Sequence, residues 1–189
     1  YVEGTNLRIT LKELARIAWQ KNWGTLIASV TYRATVAPPS FTVYFVEVEV
    51  DTETGIVRPV KVFAGADIGT VINPELAAGQ IHGGFIMGWS WTLIEDTPYD
   101  PETGELLNKG IVTDYKIMTS QDIPKLENFY VYFAHTYEPT GPFGAKGIGE
   151  AAANPVPAAI ANAIANALGI RFYELPITPE KILEALRKR

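Results

Sequence analysis

The residues best placed to do chemistry are Glu150 and the segment before it, Gly141-Pro-Phe-Gly-Ala-Lys-Gly-Ile-Gly-Glu150, which runs into the alanine-rich stretch 151–168. Glycines let a backbone adopt left-handed or crowded conformations and approach a ligand, and a helix start behind them offers N–H groups without intrahelical partners. A carboxylate held there is a candidate proton acceptor. Glutamate in a first helical turn is also favoured by the helix dipole alone. An ordinary junction, however, needs one glycine or none, and this one has Gly144, Gly147 and Gly149 around Lys146. Lys146 reads either as a charge-stabilising group or as a solvated loop lysine.

A second candidate is Gln80. It lies in a predicted helix carrying Gly79, Gly83, Gly84 and Gly88, each costing about 1 kcal/mol relative to alanine in a helix interior. Such a load fits close packing on another backbone or on a ligand. The i, i+4, i+7 rule places Gln80, Gly84 and Met87 on one face.

Other chemistries are disfavoured by what the chain contains. There is no cysteine, so thiolate metal sites, cysteine nucleophiles and iron–sulfur ligation by this chain are excluded. His82 and His135 have no metal-ligand spacing. The net charge of −5 argues against a nucleic-acid partner. No charged-then-apolar leader and no apolar run of membrane-spanning length is present, which points to a cytoplasmic location. The chain begins at Tyr1 rather than Met, as expected of a processed chain or of part of a longer one.

The elements that must position these residues follow from periodicity and caps. Thr10-Leu-Lys-Glu13 has capping-box spacing and predicts a helix over 11–21. Gly24 to Thr35 is β-branched and aromatic and reads as a strand. Phe41 to Asp51 reads as a strand with both faces at least partly covered. Asp51-Thr-Glu-Thr-Gly55 is a turn leading to a second strand, 56–66, and the pair reads as an antiparallel hairpin. Asn73-Pro74-Glu75 opens the glycine-bearing helix, expected to reach Ile94. Phe129 to His135 is a short strand, apolar on both sides. Behind the glycine loop a helix is expected to run to Leu168 and stop at Gly169, and Thr178-Pro179-Glu180 starts a last one. Asp67 and Asn73 are assigned turn and cap roles. The fold class is α+β, antiparallel strands with packed helices, as one domain over 1–189 or with 1–40 as a small separate lobe.

Taken together, Val46-Glu-Val-Glu-Val-Asp-Thr-Glu-Thr-Gly55, Asp67-Ile-Gly-Thr-Val-Ile-Asn-Pro74, Gly79-Gln-Ile-His-Gly-Gly84, Asp114-Tyr115 and Gly144-Ala-Lys-Gly-Ile-Gly-Glu150 resemble the xanthine dehydrogenase and aldehyde oxidase family. The match is to the C-terminal part of the molybdopterin-binding subunit. The resemblance implies a molybdenum–molybdopterin cofactor and hydroxylation of a C–H bond of an N-heterocycle or aldehyde, with oxygen taken from water. It implies that Glu150 is the general base acting on the molybdenum-bound hydroxyl. It implies that Gln80 hydrogen-bonds the cofactor, that Gly79, Gly83 and Gly84 let the helix approach it, and that Gly147, Ile148 and Gly149 can offer backbone N–H groups to cofactor or substrate. His82 departs from the acidic residue many members carry there, and Thr42 from a Gly-Ala-rich strand entry.

The family's molybdenum subunit is several times longer than this chain. The resemblance therefore implies that this chain acts with the remainder of that subunit, and that it would not bind cofactor tightly or turn over alone. It further implies partner subunits carrying iron–sulfur clusters and FAD, neither of which has a motif here. Carbon monoxide-oxidising and reductive branches, and a non-catalytic assembly domain of the same fold, are the alternatives.

Overall fold

Residues 4–188 are described by a computed structural model. The chain divides into two compact units, with the boundary between Arg33 and Ala34. In the first unit, helix α1 (Leu11–Gln20) begins with the expected capping box. Thr10 Oγ1 accepts from the Glu13 N–H at 3.2 Å, and the Glu13 carboxylate accepts from the Thr10 N–H at 3.2 Å. The strand expected over 24–35 does not form, and Leu26, Ile27 and Val30 are exposed. β-branched composition favours a strand only where a neighbouring ladder can receive it.

The second unit is a three-stranded sheet with two helices packed on one face. Strand β1 (Phe41–Val50) pairs antiparallel with β2 (Val57–Asp67) across the Asp51–Gly55 turn. The Asp51 carboxylate accepts from the Glu53 and Thr54 N–H groups, and Gly55 has φ +76°, the conformation glycine tolerates best. A bulge at Glu47/Val48 accommodates Pro59, which cannot donate to a ladder. Strand β3 (Phe129–Phe133) joins β2 in parallel, so the sheet is mixed rather than purely antiparallel. A parallel neighbour requires a long crossover, and helix α2 (Pro74–Leu93) with the irregular segment 94–128 supplies it.

Asn73 caps α2 by accepting from the Leu76 N–H at 3.0 Å. Helices α3 (Val156–Leu168) and α4 (Pro179–Arg187) follow, α3 stopping at Gly169 in the left-handed conformation (φ +68°). The core joins the inward side chains Tyr44, Val62, Ala64 and Ala66 to Ile81, Phe85 and Trp89 of α2 and to Val156, Ile160 and Ile164 of α3. Only alternate positions of β1 face this core. Phe41, Val43 and Phe45, expected to be partly covered, point outward and are 60%, 47% and 68% exposed. Both helices lie against the opposite face.

Candidate functional site

The glycine segment does not feed a continuous helix. Glu150–Ala152 form a single turn of 3-10 helix, and α3 begins six residues after Glu150. Pro155 is the physical reason: it has no N–H for the Ala151 carbonyl, and its ring opposes an α-helical path through the preceding turn. The backbone tightens instead, with the Ala153 N–H donating to the Glu150 carbonyl at 3.0 Å and the Val156 N–H to the Ala153 carbonyl at 3.2 Å. The carbonyls of Ala151 and Ala152 are thereby left to find donors elsewhere.

Strand β1 supplies them. Thr42 Oγ1 donates to the Ala151 carbonyl, and the Tyr44 phenol to that of Ala152 at 2.8 Å, while Ser40 Oγ donates to the Gly147 carbonyl. Three hydroxyls at alternate positions, Thr42 and Tyr44 on β1 and Ser40 just before it, thus hold the segment from Gly147 to Ala152. The Tyr44 hydroxyl also reaches the Ile81 carbonyl at 3.3 Å, joining α2 to the same turn. Burial pushes the Tyr44 phenol's pKa up, which keeps it a neutral donor. Sequence reasoning missed this role, although the period-two pattern Ser40-x-Thr42-x-Tyr44 ahead of a prolyl junction was its visible signal.

The four glycines of α2 separate into two pairs. A Cβ on Gly84 would lie 2.6 Å from Ala152 Cβ, and one on Gly88 2.5 Å from Val156 Cβ. These two are packing glycines, and the expectation that Gly84 shares an approach face with Gln80 is corrected: Gly84 is buried while Gln80 and Met87 are exposed. A Cβ on Gly79 or Gly83 would meet nothing within 4 Å, and the same holds for Gly147 and Gly149. Gly79, Gln80 and Gly83 on α2, and Gly147, Gly149 and Glu150 on the loop, are all exposed. The Tyr44 bridge and the Gly84–Ala152 contact bring the two elements together beside one another.

Lys146 is not a solvated lysine. Its side chain is 7% exposed, and Nζ lies 2.9 Å from Asp67 Oδ2 and 5.3 Å from the centroid of the Phe41 ring. Asp67 keeps its turn role by accepting from the Gly69 N–H at 3.1 Å, and it also accepts from Thr136 Oγ1 at 2.5 Å. The Thr136 hydroxyl, then Lys146 and the Gly69 N–H, pull its pKa down to about 2. His82 stands edge-on to Phe129 at 4.6 Å, where burial lowers its pKa and favours neutral imidazole. A separate cavity of about 390 Å³, lined by Ile56, Arg58, Trp89 and Asp122, lies toward the other end of α2.

The family of molybdopterin cofactor-binding domains matches residues 1–124. The chain belongs to that family, the one containing the molybdenum-binding subunits of xanthine and aldehyde oxidoreductases. It is 36% identical over 178 residues to the putative xanthine dehydrogenase molybdenum-binding subunit XdhA of Escherichia coli K12, covering 93% of this chain and 23% of that one. It is 38% identical over 148 residues to the aldehyde oxidoreductase molybdenum-binding subunit PaoC of the same organism, covering 78% of this chain and 20% of that one. Among solved structures, quinoline 2-oxidoreductase from Pseudomonas putida 86 superposes with a TM-score of 0.66 at 36% identity, covering 75% of this chain and 18% of that one. The chain therefore spans about a fifth of the length of these relatives.

A molybdenum–pterin group is compatible with what these residues offer. The open glycines on both elements leave room for a bulky group to approach backbone, whereas the glycines that serve packing are filled. Among the described residues no three acidic or histidine side chains cluster as metal ligands.

Proposed function

We propose that this chain is the cofactor-contacting part of a molybdenum hydroxylase that oxidises a C–H bond of an N-heterocycle or aldehyde, with Glu150 as general base. The observation that carries the reading is that the helix bearing Gln80 and the turn bearing Glu150, each with open glycines, are tied together through Tyr44. The molybdenum–molybdopterin group supplies the oxidation chemistry when bound. Gln80 can both donate to and accept from it through one amide without adding charge. Gly79 and Gly83 let α2 come close, and Gly147 and Gly149 do the same for the loop. Glu150 accepts a proton at its carboxylate, and Pro155 with Thr42 holds the turn that aims it.

Glu150 is exposed in this chain, so the water exclusion that sharpens a general base is left to the remainder of the molybdenum subunit. Electrons leave through partner subunits carrying iron–sulfur clusters and FAD. The test is Glu150→Gln in the subunit assembled with its remaining segment. Molybdenum and pterin should stay bound while hydroxylation falls by about 10²- to 10⁴-fold, the usual range for loss of a general base. Retained turnover would sink the assignment. A subunit that assembles normally but holds no molybdenum would make this chain an assembly domain.

A further inference from the structure

The outward face of the sheet divides sharply along its length. Toward the Asp51–Gly55 turn it carries opposed charges in register, Glu49 across from Arg58 and Glu47 across from Lys61. Beyond them it turns apolar in rows. Phe45, Phe63 and Tyr130 form one row across the three strands, with Phe63 and Tyr130 stacked at 4.8 Å. Val43, Gly65 and Tyr132 form the next, with Val43 Cγ1 only 3.1 Å from where a Cβ on Gly65 would sit. These aromatic groups are 46–68% exposed, and none contributes to the core. Contiguous apolar surface bounded by charge marks a contact site.

We infer that this apolar half-face docks the remainder of the molybdenum-binding subunit, and that the charged half stays in water. The inference rests on the family reading above. The relatives match this chain over about a fifth of their own length, 20–23%, so a subunit of that size has ample further mass to seat on the face. The footprint also adjoins the candidate site. Phe41, at its edge, carries the Lys146 ammonium over its ring, and the neighbouring Ser40 holds the Gly147 carbonyl. A segment seated on Phe45, Phe63 and Tyr132 therefore abuts the glycine loop and can complete the cofactor site from that side.

The experiment compares hydroxyl-radical oxidation of aromatic residues in this chain alone and in the assembled molybdenum subunit, with Phe45→Lys as the variant. Phe45, Phe63, Tyr130 and Tyr132 should be protected at least tenfold on assembly. Phe45→Lys should leave the melting temperature of the isolated chain within a few degrees and cut recovery of the assembled subunit at least tenfold. Glu49→Ala, outside the footprint, should leave recovery unchanged. Equal oxidation in both states, or undiminished assembly of Phe45→Lys, overturns the inference. So does self-association of the isolated chain through these residues that persists in place of assembly. Molybdenum content and Glu150→Gln turnover are read separately, so the interface can fail while the catalytic reading stands, and the reverse.

Discussion

Asp67 sits where three segments meet: the end of β2, Thr136 beyond β3, and Lys146 in the glycine loop. Its sequence context announces only a turn, because Asp two residues before a glycine is a common turn pattern, and nothing local reveals a lysine seventy-nine positions later, the difference between 146 and 67. The carboxylate's pKa is depressed from its ordinary 3.8 to about 2. A depressed folded pKa contributes stability that is fully present above the unfolded value and is lost as pH falls through the folded one. The stability advantage of the wild type over Asp67→Asn should therefore be constant above about pH 4 and shrink between about pH 4 and pH 2. Urea unfolding of both proteins across that range measures it. The comparison with the variant is needed because Asp51, Asp100 and Asp122 are also depressed by local hydrogen bonds and titrate in the same region.

Helix α2 has one glycine pair that packs and one that lies open, and substitution should separate them by sign. Gly84→Ala places a methyl group against Ala152 and should destabilise by about 1–3 kcal/mol, the usual cost of overpacking. Gly83→Ala meets open space and should stabilise the isolated chain by about 0.5–1 kcal/mol through helix propensity. If Gly83 serves cofactor approach, the same substitution should lower the molybdenum content of the assembled subunit. Denaturant unfolding and metal analysis check the two halves. The helix itself was legible from Asn73-Pro74-Glu75, as were the capping box of α1, the Asp51–Gly55 turn and the Gly169 stop, because each is written in adjacent residues. What was not legible depends on partners far away in sequence. Helical spacing placed Gly84 beside Gln80, but which side of the helix meets Ala152 is decided by α3. The stretch 24–35 has strand composition without a ladder. The break at Pro155 was readable in principle, since a proline there denies the Ala151 carbonyl its donor, yet the alanine-rich run around it favours an unbroken helix.

At the scale of the whole molecule, the second unit builds its core entirely from its own residues, on one face of a mixed sheet. Its inward strand positions were predictable from alternation. The exposure of the other face was not, because Phe41, Val43 and Phe45 have the composition of buried residues and alternation alone cannot say how little covers them. The hydroxyls of Ser40, Thr42 and Tyr44 bind carbonyls more than a hundred residues downstream, with separations of 107, 109 and 108. Contacts of such range require closing a long loop before they return any stability. The β1–β2 hairpin and α2 can assemble first, and the turn bearing Glu150 can settle only onto that finished platform. In native-state hydrogen exchange, amides of 147–153 should open at lower free energy than those pairing β1 with β2, and equal protection of the two would contradict this order. The catalytic candidate would then arrive after the hairpin that holds it and leave before it.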